Sequence, residues 1–325
     1  MRPADPKGSR PDASAGTIEI GAPDIRDHRQ GNTGIEYVHT FVAPSPGPHV
    51  MLSAVVHGNE LCGAIVLDEL LRRRLRPRRG HLTLCFANPA AYLRFDPAHP
   101  TLSRFLDEDF NRLWSDAVLD GPRRSRELDR ARKLRPLVDE VDYLLDIHSM
   151  QYGPEALALC GLTGKGIAFA RQLGFPRHVV ADSGHAAGKR MRDYGAFADE
   201  RSPKNALLIE CGEHWKRSTV TVARKMVQRF LELLEIVEPG DFGTNLSTAG
   251  AQRLIEVTGP VTVRTGAFRF TQPFSGLEVI EKAGTVIGHD GTTVVETPYD
   301  NCVLIMPSRR LGRGGTAVRF GRYVD

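Results

Sequence analysis

HVMLSAVVHGNELCGAIVLDELLRRR, residues 49–74, is the stretch whose reading decides the fold. Its first part, His49–Val56, is a nearly continuous apolar run, as expected of a strand covered on both faces. Its second part places Leu61, Ala64, Ile65, Leu67, Leu70 and Leu71 close to a 3.6-residue period, which predicts a helix ending near Pro77. Between the two stand His57, Gly58, Asn59 and Glu60. An imidazole and a carboxylate three residues apart, where a strand turns into a helix, can reach one metal ion. Ligand sites in open α/β sheets also lie beyond the carboxyl ends of strands. His-x-x-Glu alone is a weak pattern, which a satisfied histidine and a surface glutamate explain as well. The remaining parts must come from downstream.

Working outward, apolar strand patterns alternate with helical ones. Before the opening stretch, Thr17–Phe41 alternates loosely and predicts one or two leading strands, followed by a turn over Ala43–His49. After it come a strand over His81–Ala87 and an irregular stretch over Ala90–Trp114. An amphipathic helix over Leu128–Val141 is interrupted or restarted at Pro136. Tyr143–Ile147, Glu155–Cys160, His178–Ala181 and Ala206–Ile209 read as strands, and Lys165–Leu173 and Thr219–Val237 as helices. Gly184–Pro203 has no assignable pattern. The alternation predicts an α/β fold with a mixed, largely parallel sheet flanked by helices.

The character changes at Glu238-Pro239-Gly240. Beyond it lie short β-branched runs, Leu254–Val257, Val261–Val263, Glu278–Ile280, Thr293–Val295 and Val303–Met306, separated by Gly and Pro turns. They predict a small all-β C-terminal domain. The expected organisation is therefore a flexible lead over 1–16, an α/β domain over 17–240 and an all-β domain over 241–325.

Composition narrows the function classes. No run approaches the roughly 18 apolar residues of a membrane span, and the lead has no apolar core of a signal peptide. Five scattered cysteines without a Cys-x-x-Cys pair point to a reducing, cytoplasmic setting and away from a cysteine metal site. The net charge of +4 has its source in two arginine-rich stretches, 72–79 and 123–135. Without interleaved aromatics they read as solvated faces, not as a nucleic-acid surface.

Three of the predicted strands end in polar residues suited to catalysis: His57 with Glu60, His148, and Glu210. Two histidines and one carboxylate leave a zinc position open for water. Glu210 is then available as a general base. Asp146 lies two residues before His148, on the same face of a strand, where it can fix the tautomer of a ligand histidine. Taken singly, each has a bland reading: a capping histidine, a turn former, a surface acid. Taken together at one sheet edge, they read as a site.

The pieces HGNE, NPAA, RFLDEDFNR, LLDIHS and LLIECG, in this order, resemble the succinylglutamate desuccinylase/aspartoacylase family of the zinc carboxypeptidase superfamily. The resemblance covers roughly residues 30–240. It implies that His57, Glu60 and His148 bind one Zn2+ per chain and that Glu210 activates water. It further implies that Asn111 and Arg112 hold a substrate carboxylate and that Arg104 is a further substrate-side arginine. Asp109 is read as support for the arginines. The implied activity is cleavage of an N-acyl amino acid or similar small amide, including N-acetyl-diaminobutyrate. The alternatives are a metallocarboxypeptidase acting on peptide C-termini and a catalytically silent binding protein. Arg192, Arg201 and Tyr299 have no assignable family role. The all-β part resembles barrel-sandwich carriers, with Lys282 an exposed loop residue and the domain a wall of the cleft. Homo-oligomerisation is left open.

Overall fold

The structure, a computed structural model, describes residues 17–153, 155–184, 187–242, 250–309 and 311–324; the expected lead over 1–16 lies outside them. The strands are β1 (Val38–Val42), β2 (Ser45–Ala54), β3 (Arg79–Phe86), β4 (Tyr143–Met150), β5 (Leu157–Leu159), β6 (His178–Ala181) and β7 (Asn205–Glu213). The chain continues with β8 (Arg253–Thr262), β9 (Phe268–Phe270), β10 (Glu278–Ile280), β11 (Val286–Asp290), β12 (Thr293–Glu296), β13 (Cys302–Ile305) and β14 (Thr316–Tyr323). The helices are α1 (Leu61–Arg72), α2 (Pro89–Tyr92), α3 (Asp116–Leu119), α4 (Arg126–Glu140), α5 (Gly164–Leu173) and α6 (Arg217–Leu233).

Strands β3, β2, β4 and β7 run parallel at the centre, with β1 antiparallel on one edge and β5 antiparallel to β7 on the other side. This is the mixed, largely parallel sheet that the alternation predicts. Its apolar residues sort by parity. Val50, Leu52 and Ala54 of β2, Leu145 and Ile147 of β4, and Leu207 and Ile209 of β7 join the core under α1 and α6. Met51, Leu144 and Ala206 join the opposite core, with Trp114 and the buried stripe of α4. A two-residue repeat buried on both sides explains why these strands read as unbroken apolar runs. Shortening one such residue, as in Leu52→Ala, costs about 2–5 kcal/mol. On β4 and β7, even numbers share the Leu144 and Ala206 face, which carries Asp146, His148 and Glu210 to one side of the sheet.

Thr17–Phe41 supplies one leading strand, β1, within the one or two expected, and a short 3-10 turn at Arg26–His28; Glu19 bonds the Trp215 carbonyl. Other expectations change. Pro136 does not interrupt α4. The buried stripe of Leu128, Ala131, Leu134 and Val138 spans it, and packing compensates for the lost amide donor. The two expected runs within 254–263 form one strand, β8, and strands β9, β11 and β14 add to the expected set.

The C-terminal strands are not detached from the sheet. β8 pairs in parallel with β6, from His178↔Arg253 to Ala181↔Glu256. The order then continues β14, β13, β10, so one eleven-stranded sheet runs through both parts of the chain. Strands β12, β11 and β9 form a separate antiparallel sheet. Lys282 is exposed, with Asp300 as its neighbour at 4.0 Å. Among the described residues no helix is long and apolar enough to cross a membrane.

Candidate metal centre and cleft

The turn after β2 holds His57 and Glu60 by packing and by strain. Val55 carries φ +55, an unfavourable conformation for a β-branched residue that costs on the order of 1–3 kcal/mol. Gly58 is pinned: a Cβ there would lie 2.4 Å from Ala91 C, Ser103 O and Tyr92 N. Its amide donates to the Arg104 carbonyl at 3.1 Å, tying the motif to the loop that carries the arginines. Glu60 occupies the N-cap of α1, yet its carboxylate makes no cap bond and turns towards the histidines.

There, His57 Nδ1 lies 2.7 Å from Glu60 Oε1 and His148 Nδ1 lies 2.9 Å from Glu60 Oε2. The Ser149 amide donates to the same Oε2 at 3.1 Å. All three side chains are buried, and one ligand atom from each lies within 4.8 Å of the others. Burial alone would raise the Glu60 pKa, but His57 and His148 outweigh it and hold the carboxyl well below its ordinary range. Burial would likewise depress His148, but Asp146 and Glu60 raise it well above the usual histidine value.

The far nitrogens are also engaged. His148 Nε2 meets Asp146 Oδ2 at 2.8 Å, and His57 Nε2 meets Asp109 Oδ1 at 3.0 Å. Each histidine thus has a carboxylate behind it, the arrangement that orients metal-ligating imidazoles. Asp109 also meets Arg104 at 3.2 Å and Arg112 at 3.7 Å, so it supports both a histidine and the arginines.

His148 and Glu210 lie within their strands, not just past them as expected from the sequence, and they are direct register partners across β4 and β7. The base candidate is therefore held beside the ligand by the sheet ladder itself. Glu210 is buried, and its Oε2 has no hydrogen-bond partner among the described residues. Burial, and then the facing Glu60 carboxylate, push its pKa up to about 8. Two imidazole nitrogens, one clamped carboxylate and an unsatisfied acid beside them fit a divalent ion of the zinc type.

His57, Glu60 and Glu210 floor a cleft of about 290 Å³. Arg104 and Arg112 line it from the loop before α3, and Ser149–Tyr152 and His214 from the strand ends. Met306–Arg309 and Gly314–Thr316 form the opposite wall, together with Arg319 of β14. Burial lowers the Arg112 pKa to about 10, with Arg104, Arg190 and Arg319 adding to the effect.

Asn111, expected to hold substrate, is placed otherwise. It is buried and does not line the cleft. Its amide donates to Asp146 Oδ2 at 3.3 Å and its carbonyl accepts from the Met191 amide at 3.1 Å. It braces the carboxylate behind His148. Arg192 is buried against Asp193 and the Cys160 carbonyl, Arg201 is on the surface, and Tyr299 bonds Thr258 Oγ1 at 2.6 Å.

Three cleft residues were not singled out in the sequence. Arg319 of β14 reaches Asp182, just past β6, at 3.7 Å across the intervening β8. Ser149 Oγ and His214 Nδ1 are 2.7 Å apart, both buried. The polar residues that follow His148 and Glu210 in DIHS and ECGEH were the available hint for the last two.

Comparison with known proteins agrees with this architecture. The family model described as the succinylglutamate desuccinylase/aspartoacylase catalytic domain matches residues 46–234. Among solved structures, a succinylglutamate desuccinylase from Vibrio cholerae is similar at TM-score 0.71 and 17% identity, covering 90% of this chain and 86% of that one. Its counterpart from Vibrio parahaemolyticus gives 0.69 and 18%, covering 89% and 87%. Murine aminoacylase 3 gives 0.61 and 19%, covering 87% and 97%. At such identities the likeness shows a shared fold. A search of curated proteins found no match.

Proposed function

Because the chain belongs to the succinylglutamate desuccinylase/aspartoacylase family, we propose that it is a zinc-dependent amidohydrolase cleaving an N-acyl amino acid or similar small amide. The observation that carries this reading is the His57, Glu60, His148 cluster with Glu210 as the register partner of His148. His57, Glu60 and His148 would hold one Zn2+ per chain. When bound, the ion supplies Lewis acidity, acidifying water and polarising a carbonyl.

The chain's own groups do the rest. Glu210 takes a proton from the attacking water and hands it to the departing nitrogen, a task that suits a carboxyl with a raised pKa. Asp146 and Asp109 keep the two histidines oriented, and Asn111 keeps Asp146 in place. Arg112 and Arg104 present planar donors to the substrate carboxylate, for which a guanidinium fork is the geometric match. The α/β part over 17–240 carries the chemistry, and the part over 241–325 closes the cleft to long peptides. Five buried, unpaired cysteines agree with a cytoplasmic setting.

The test is metal content of the purified protein, paired with amine release from a panel of N-acyl amino acids, with and without a chelator. About one zinc per chain and chelator-sensitive cleavage of a panel member is the expected result. Efficient release of C-terminal residues from a long peptide would favour a carboxypeptidase instead. Failure to bind zinc on reconstitution would sink the reading.

A further inference from the structure

We propose that the cleft continues into a second subsite that takes an aromatic or bulky apolar group on the acyl side of the substrate. The proposal rests on the amidohydrolase reading above and adds the class of acyl group to it. A cavity of about 380 Å³ adjoins the cleft, and the two share Tyr152, Pro307, Ser308 and Arg309 as lining. These four residues stand where the two cavities meet.

One side of its wall is aromatic and already set, the rest being polar or small. Phe270 meets Phe268 at 4.9 Å and 76°, and meets Phe274 at 5.8 Å and 72°, both edge-to-face. Phe270 and Phe274 line the cavity beside Pro273. A ring entering here finds edges and faces held in place by neighbours, which lowers the ordering cost of binding. At the junction, the Arg309 guanidinium lies 3.8 Å over the Tyr152 ring. One of these residues comes from beyond β4 and the other from beyond β13, so both parts of the chain form the passage.

Charge assigns the two ends of the substrate. Arg104, Arg112 and Arg319 line the first cavity and not the second, so the amino acid's carboxylate belongs in the first. Glu213 and Arg309 both line the second, so its charges balance, whereas the first carries three further arginines. A neutral end therefore suits the second: a dicarboxylic acyl chain would meet the Glu213 carboxylate there, and the Arg309 guanidinium is already stacked on Tyr152.

The test uses the zinc-loaded full chain carrying Glu210→Gln, which keeps substrates intact, and calorimetric titration with the N-acetyl, N-succinyl and N-phenylacetyl derivatives of one amino acid. The phenylacetyl compound is expected to bind about tenfold tighter than the acetyl one, the gain of one ring meeting two. The succinyl compound should show no such gain. Adding Phe274→Ala should erase the difference, and the milder Phe274→Leu should retain part of it and guard against misfolding. Equal or weaker phenylacetyl binding, absence of binding by all three, or a preference untouched by both Phe274 variants would overturn the proposal. Turnover of the same panel by the unmodified chain separates the two readings. A phenylacetyl compound that binds tightly through Phe274 but is never cleaved sinks the amidohydrolase and keeps the subsite. Cleavage without a phenylacetyl preference in binding does the reverse.

Discussion

The two walls of the cleft are built on different principles. On the metal side, Glu60, His57, His148 and Asp146 are buried, and each is held by at least one charged or imidazole partner within 3 Å. Their positions come from parallel strands and one pinned turn. On the opposite side, residues 306–309 and 311–315 lie between β13 and β14, β10 is three residues long with none buried, and β12 is short and largely exposed. Buried paired elements open rarely, whereas exposed ones with few apolar contacts open readily. The contrast teaches that one wall is built to preserve a reaction and the other to vary what reaches it.

Removing a clamp on the metal side should have the largest effect. Glu60→Ala leaves two buried histidines without their shared carboxylate, so zinc content should fall to near zero and stability by about 3–5 kcal/mol. Elemental analysis and urea denaturation check this; a variant that retains zinc would remove Glu60 from the ligand set. Glu210→Gln should lower kcat by roughly 10²–10⁴-fold while zinc stays bound. Zinc loss in that variant would make Glu210 a ligand and not a base.

On the cleft's flank, Arg112→Ala should raise KM by roughly 10–100-fold, the loss of a hydrogen bond to a charged group. An unchanged KM would place the substrate carboxylate elsewhere. The seam between the walls gives the smallest effect. Burial would raise the Asp182 pKa, but Arg190 outweighs it and holds the carboxyl below its ordinary range, with Arg319 and the Gly184 amide assisting. A folded pKa below the unfolded value gives stability that is present above roughly pH 4 and lost as pH falls through the folded value. Asp182→Asn should therefore cost about 2 kcal/mol at pH 7, with the deficit shrinking as pH drops below 4. A deficit independent of pH would mean the charge is not what matters there.

The same contrast governs what could be read in the sequence. Strands buried on both faces declare themselves as apolar runs, so β2, β3, β4 and β7 were legible, and so were the polar residues that break those runs at His57, His148 and Glu210. The resemblance of HGNE, LLDIHS and LLIECG to a known family reinforced that reading. Among the C-terminal strands β13 is buried on both faces and was legible for that reason, whereas β12 is almost wholly exposed and β9 is three residues long, and such segments leave little periodicity. Arg319 is one arginine among many until β14 carries it to Asp182. Asn111 shows the converse limit. Its neighbour Arg112 reaches the cleft, but a buried 3-10 turn directs the Asn111 amide inward, and no local pattern distinguishes the two.

The unbroken ladder from β7 through β5, β6 and β8 to β14 has a consequence for timing. Two bodies joined by a flexible linker admit substrate by swinging apart, on the microsecond-to-millisecond scale. Here the cleft's far wall hangs from the same hydrogen-bonded sheet as its floor, and swinging apart would tear that ladder. Passage between the cleft and the adjoining cavity then falls to side chains at their junction, Tyr152 and Arg309 foremost, and exposed side chains rotate in picoseconds to nanoseconds. Access to such a site is then a matter of a few rotamers and not of two bodies moving apart.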